Sequence, residues 1–159
     1  KIISYSPAQT KKIASLLIKA ILADPQTSPH LFCLTGNLGS GKTAFIQGAA
    51  QALKIKNKIL SPTFIIMRSF SLRKKGGLKN FYHLDCYRIE NSQELEILNL
   101  KEIFQNRQNL IFIEWPEKIK EIIPEDAFWL EFKIKGKNKR EIVINSKIKP
   151  QKSKGKTKI

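Results

Sequence analysis

Cysteine is scarce in this chain of 159 residues: there are two, Cys33 and Cys86, each set in a largely apolar segment. That number and spacing exclude a disulfide scaffold and match no zinc-ligand pattern. Both thiols are therefore expected to be small core residues in a reducing compartment. Long hydrophobic runs are missing as well. No apolar stretch approaches the ~18 residues that suggest a membrane-spanning helix. The opening Lys1-Ile2-Ile3-Ser4-Tyr5 lacks the long apolar core and small-residue cleavage site of a secretory leader. The expectation is a cytoplasmic protein with no membrane partner. Acid is the third shortage: 13 Asp and Glu stand against 29 Lys and Arg, a formal charge of +16. Six of the lysines fall in residues 147–159, which hold no acid, and removing them still leaves +10. Such a field attracts nucleic acid or acidic partners and concentrates anions, but it does not choose a fold. A solvated lysine-rich surface explains it equally well.

What is present is an ordinary globular balance, 42% hydrophobic and 26% charged, at a length that fits one domain with a proper core. Ser6-Pro7-Ala8-Gln9 reads as a helix start, with Ser as N-cap and Pro at the first helical position. Ile13, Leu16, Leu17, Ala20 and Ile21 then fall on one helical face. Asp24-Pro25 and Ser28-Pro29 bracket a linker. The run from His30 to Thr35 reads as a short buried strand, followed by a Gly-rich turn and a second helix with Phe45, Ala49 and Leu53 inward. Thr63 to Phe70 and Phe81 to Asp85 suggest a hairpin around Lys74-Lys75-Gly76-Gly77. Asn91-Ser92-Gln93-Glu94 has capping-box spacing for a short helix through Leu95 and Leu98. Asn109 to Ile113 reads as a central strand. Phe128, Leu130, Phe132 and Ile134 alternate with Trp129, Glu131, Lys133 and Lys135, and Gly136-Lys137-Asn138 leads into Ile142-Val143-Ile144. That is a hairpin with one wet face. The order implies an α/β three-layer domain with a mixed, partly antiparallel sheet over residues 1–146. Residues 147–159 read as a low-complexity lysine tail, expected to be disordered.

Gly36-Asn37-Leu38-Gly39-Ser40-Gly41-Lys42-Thr43 matches G-x-x-x-x-G-K-[ST] at every fixed position. Glycines at this spacing let the loop curl so that backbone N–H groups point at phosphate oxygens. The helix that follows presents its positive N-terminus to the same anion. Lys42 is placed to reach the β- and γ-phosphates, and the Thr43 hydroxyl to bind Mg²⁺. A buried strand before the loop and an amphipathic helix after it supply the context the motif requires. The fold expected is thus a P-loop NTPase domain that binds ATP.

Such a domain needs a carboxylate at the end of a neighbouring strand to orient Mg²⁺ or its waters. Asp85, ending the strand from Phe81, and Glu114, ending the apolar run from Leu110, both qualify, and spacing alone does not choose between them. Ser61-Pro62-Thr63-Phe64 lies about twenty residues beyond the loop, where many P-loop NTPases carry a threonine that senses the γ-phosphate. On spacing alone a turn into a strand is the better reading.

Taken in order, the loop, Ser61-Pro62-Thr63-Phe64, His83-Leu84-Asp85-Cys86-Tyr87-Arg88 and Glu114-Trp115-Pro116 resemble the TsaE family over roughly residues 6 to 146. The resemblance implies a bacterial ATPase that acts with a TsaB–TsaD pair in threonylcarbamoylation of adenosine 37 in tRNAs reading codons that begin with A. It implies slow ATP hydrolysis that permits repeated turnover, without transfer of the group by this protein. Carried over by position, residues 36–44 cradle the nucleotide. Lys42 and Thr43 hold phosphate and Mg²⁺, Thr63 and Asp85 complete the metal and γ-phosphate shell, and Glu114 orients the attacking water or a metal-bound water. Trp115 packs beside the nucleotide or a partner. Two departures stand out: Asn37, where members often have Asp, and Ala44, where a second Thr is common. A missing hydroxyl removes one phosphate contact, on the order of 1 kcal/mol. The lysine tail is not part of the family pattern.

Two rivals share some of these features. A small-molecule or nucleotide kinase uses the same loop but closes an arginine-bearing lid over the phosphoryl group. Here no arginine lies between Glu114 and Lys139, and no acceptor pocket is evident. A basic nucleic-acid-binding module explains the charge but leaves the loop and both strand-end acids without a task.

Overall fold

The computed structural model describes residues 1–24, 30–57, 59–62, 66–90, 95 and 98–145. Among the described residues seven strands form one sheet: β1 (Ile2–Ser4), β2 (Leu31–Thr35), β3 (Met67–Lys75), β4 (Leu78–Asp85), β5 (Asn109–Glu114), β6 (Phe128–Ile134) and β7 (Arg140–Asn145). Their spatial order is β1-β7-β6-β2-β5-β4-β3. The four central strands β6, β2, β5 and β4 run parallel. The outer pairs β4–β3, β6–β7 and β7–β1 are antiparallel. The mixed sheet expected from the order of segments is present, and so are both hairpins. Strand β3 runs on through Lys74 and Lys75, however, which leaves Gly76-Gly77 as the first turn. Residues 63–65 of the expected strand lie outside the described residues.

The sheet is buried on both faces, so its middle strands read as continuous apolar runs. Phe32, Leu34, Leu110 and Phe112 face one side, where they meet α1 (Pro7–Ala23) and α2 (Lys42–Ala52). Leu31, Cys33, Ile111 and Ile113 face the other, against α3 (Leu100–Gln105), Ile89, Leu95 and Ile119 of the 3₁₀ segment Pro116–Ile122. Period-two alternation along β2 and β5 thus sorts the core into two layers around one sheet. Trp129 joins the second layer, so the outer face of β6 is less wet than its alternation suggests.

Ser6 caps α1, its hydroxyl accepting from the Gln9 N–H at 3.1 Å, and Pro7 starts the helix. Gln9 reaches back as expected but one residue further, accepting from the Tyr5 N–H at 2.7 Å. The buried face of α1 is Thr10, Ala14, Ile18 and Ile21, with Ile13 and Leu17 at its margin. Leu16 and Ala20, expected inside, are exposed. The helix is rotated roughly a quarter turn from the face chosen by periodicity, at ~100° per residue. Packing against α2 decides this, because a Cβ on Gly48 would lie 2.3 Å from the Lys11 carbonyl oxygen. The inner side of α2 is as expected: Phe45, Ala49 and Leu53, joined by Ile46 and Ala50. The linker at residues 25–29, the capping box at residues 91–94, Thr63 and residues 146–159 lie outside the described residues.

Candidate functional site

Parallel pairing brings three strand ends to one edge of the sheet. Strand β2 ends at Thr35 and feeds the glycine loop, while β4 ends at Asp85 and β5 at Glu114. Leu34 is in register with Glu114, and Glu114 with Asp85. In an open α/β sheet the carboxyl ends of the strands are where ligands bind.

The loop itself depends on its glycines. Gly36, Gly39 and Gly41 have φ of 132°, 74° and 104°, the left-handed region that disfavours a side chain. At Gly36 space is also refused, since a Cβ would meet the Phe132 carbonyl oxygen at 2.3 Å. The Ser40 N–H closes a turn on the Asn37 carbonyl at 3.1 Å. Asn37, Leu38 and Gly39 form an exposed crown, and Ala44 is half-buried in the first turn of α2. Arg140 fastens that crown from the β6–β7 hairpin: Nε and Nη2 donate to the Gly39 carbonyl at 3.2 and 3.1 Å. Its Nη1 donates to the Gly136 carbonyl at 2.9 Å.

Lys42 is buried, and its ammonium donates to the carbonyls of Gly36 at 2.5 Å and Asn37 at 3.1 Å, across the mouth of the loop. Trp115 covers it, with the ammonium 4.4 Å from the ring centroid, a cation–π contact strengthened by exclusion of water. Burial pulls the Lys42 pKa below its usual value, while Glu114, Glu117 and Asp85 act in the opposite sense. Trp115 holds that position from a left-handed backbone, φ 57°, directly after Glu114, and Tyr87 packs on it at 5.1 Å between centroids. The family resemblance implies a place for Trp115 beside the nucleotide or a partner; in the structure it lies on the loop lysine.

Glu114 is the hub of the polar contacts. The Thr43 hydroxyl donates to both of its carboxylate oxygens, at 2.9 and 3.1 Å. His83 Nε2 lies 2.9 Å from Oε1. Asp85 accepts from the Ser61 hydroxyl and, at 3.0 Å, from the Tyr87 N–H. Lys42, Thr43, Glu114 and Trp115 are therefore drawn into one contiguous group. Asp85 is its register neighbour, tied to Ser61 of the segment that carries Thr63. Sequence reasoning assigned no task to His83, Ser61 or Arg140. The first two lay inside quoted motifs, whereas nothing local marks Arg140, since its partner is 101 positions away.

Three observations bear on whether a nucleoside triphosphate with Mg²⁺ suits this group. The Ser40 hydroxyl is buried in the loop with no hydrogen-bond partner among the described residues, and a buried polar atom left so is expensive without a ligand. The loop carries no side chain at Gly36, Gly39 and Gly41, and the Lys42 ammonium already lies at its mouth, against the Gly36 and Asn37 carbonyls. The donors at the strand ends are hydroxyl and carboxylate oxygens, the ligands that Mg²⁺ prefers. The residues fit.

At the level of fold, the molecule is a P-loop NTPase domain with a mixed sheet. A crystal structure of Bacillus subtilis YdiB matches it with a TM-score of 0.69 and 29% identity, covering 91% of this chain and 83% of that one. The sequence model described as "Threonylcarbamoyl adenosine biosynthesis protein TsaE" matches residues 4–142. The protein named "tRNA threonylcarbamoyladenosine biosynthesis protein TsaE" in Bacillus subtilis (strain 168) is 36% identical over 143 residues, 90% of this chain and 83% of that protein. Its namesake in Borreliella burgdorferi is 38% identical over 107 residues, 67% and 74% of the two chains. In Rickettsia conorii the corresponding figures are 31% over 151 residues, 93% and 80%. The chain belongs to the TsaE family, which takes part in tRNA threonylcarbamoyladenosine biosynthesis.

Proposed function

We propose that this protein binds ATP with Mg²⁺ and hydrolyses it slowly, as an accessory to a TsaB–TsaD complex that threonylcarbamoylates adenosine 37 of tRNAs reading codons that begin with A. Residues 1–146 form the ATPase unit, and residues 147–159 are an appended basic segment. No helix among the described residues is long and apolar enough to cross a membrane, and the proposed site of action is the cytoplasm, where tRNA is modified. The observation that carries the reading is the Thr43–Glu114 contact, which joins the start of the P-loop helix to the end of the adjacent strand.

The amides of residues 36–44 and the Lys42 ammonium would hold the phosphates, and Thr43 with Asp85 and Glu114 would hold Mg²⁺, with Thr63 beside the γ-phosphate. Bound Mg²⁺–ATP supplies an activated phosphoryl group for transfer to water. The chain's own residues do the positioning on which such transfer depends. By accepting the Thr43 hydrogen, Glu114 leaves the hydroxyl lone pairs available as acceptors, and its carboxylate is placed to orient water. Ser61 and the Tyr87 N–H fix Asp85. Trp115 shields Lys42 from water, which strengthens its attraction for anions. Arg140 limits the motion of the loop crown.

Purified protein tests this directly. Lys42→Ala is expected to abolish ATP binding, whereas Asp85→Ala and Glu114→Ala retain binding and lose turnover. Nucleotide affinity unchanged in Lys42→Ala would refute the phosphate assignment.

A further inference from the structure

His83 is the one wholly buried imidazole at the site, 0% exposed, and it stands in strand β4 two residues before Asp85. Its register partner on β5 is Phe112, two residues before Glu114. The ring therefore sits one pleat beneath the carboxyl ends of both strands, on the same side as their acids. Nε2 lies 2.9 Å from Glu114 Oε1, while Nδ1 has no hydrogen-bond partner among the described residues. A carboxylate only accepts, so Nε2 carries the hydrogen in this contact. Since a buried Nδ1–H would have no acceptor among the described residues, the neutral ring takes the Nε2–H tautomer.

We infer that His83 is a positioning residue: held as the Nε2–H tautomer beneath the site, it pins the Glu114 carboxylate so that both carboxylate oxygens face the Thr43 hydroxyl. The inference rests on the proposed ATPase reading. Glu114 has three rotatable bonds, and the Thr43 hydroxyl meets its carboxylate from the loop side only. The second contact comes from below, from a ring that has no freedom of its own because the core surrounds it. Outer contacts of this kind orient the groups that meet a metal or its water, and losing one typically reduces activity by about 10–100-fold.

Two substitutions separate positioning from mere packing. His83→Phe keeps a ring in the core but removes the donor, and His83→Gln keeps an N–H donor of similar reach. The expected result is that His83→Phe lowers kcat for ATP hydrolysis by about 10–100-fold with KM within about threefold. His83→Gln should recover most of kcat, although its melting temperature is no higher than that of His83→Phe. Equal kcat in wild type and His83→Phe, or equal loss in both variants, overturns the inference. A second readout needs no turnover: ¹⁵N NMR of the imidazole in the full chain without nucleotide. The wild type is expected to show the Nε2–H tautomer, and Glu114→Ala to perturb the His83 signals. An Nδ1–H tautomer, or signals indifferent to Glu114→Ala, overturns the pairing. A wild type that hydrolyses no ATP yet shows the expected tautomer sinks the ATPase reading, and with it the catalytic purpose of the contact, while leaving the contact itself in place.

Discussion

At Gly36 a single carbon decides whether the loop can form. The backbone there is left-handed and the Phe132 carbonyl occupies the place of a Cβ at 2.3 Å. The Gly36→Ala variant is therefore expected to lose more than about 1 kcal/mol of stability and to lose nucleotide binding, read from urea unfolding and from ATP titration. A variant with the wild-type midpoint and affinity contradicts the loop geometry. The cysteines offer a second test at this scale. Burial, with help from Asp85 and Glu117, pushes the Cys86 thiol up to about 12, and burial also raises Cys33. Only the thiolate is reactive. Native protein at neutral pH should leave both thiols unlabelled by a disulfide reagent, and the urea-unfolded chain should expose them. As pH rises above 9.0 the unfolded chain ionises its thiols first, so their contribution to stability, complete below that value, declines toward the folded pKa. Rapid labelling of the native chain would show that these thiols are not core residues.

Helix α1 shows how much of an element sequence can specify. Ser6, Pro7 and Gln9 marked its start because capping is chemistry between near neighbours. Its inward face was not legible, since α1 carries apolar residues at Ala14, Ile18 and Leu22 as well as on the stripe through Ile13, Leu16, Leu17 and Ala20, with Ile21 common to both. Two stripes compete, and the choice belongs to α2, whose Gly48 admits the Lys11 backbone. The strands and the loop were legible because burial on both faces, turn glycines and the phosphate-binding motif are all local signals. The contacts of Arg140 with Gly39 and of His83 with Glu114 were not, because they join distant parts of the chain. Gly48→Ala separates the two levels. Helix propensity alone predicts a gain of about 1 kcal/mol, whereas the Lys11 contact predicts a loss of about 1–3 kcal/mol from overpacking. Chemical denaturation should show the loss; a more stable variant would mean that α1 and α2 are further apart.

Across the whole molecule, charge and site are separate matters. The side-chain ion pairs Arg107–Asp126 and Lys133–Glu131 are solvent-exposed, so they add little to stability. The excess of 29 basic over 13 acidic residues acts at long range instead, and contact with tRNA phosphates by such a surface falls steeply with salt. In a salt titration, unmodified tRNA alone should therefore bind weakly and dissociate as ionic strength rises. Tight, salt-resistant binding without ATP or partner proteins would favour a nucleic-acid-binding module. On the proposed function, the P-loop site drives repeated rounds of tRNA modification carried out by other proteins. The most direct test is multiple-turnover formation of threonylcarbamoyladenosine with cognate TsaB and TsaD, in the presence of this protein, in its absence, or with Lys42→Ala. Modification is expected to stall without the protein, and the variant is expected to fail to restore it. A yield indifferent to the protein would leave a P-loop domain without this task.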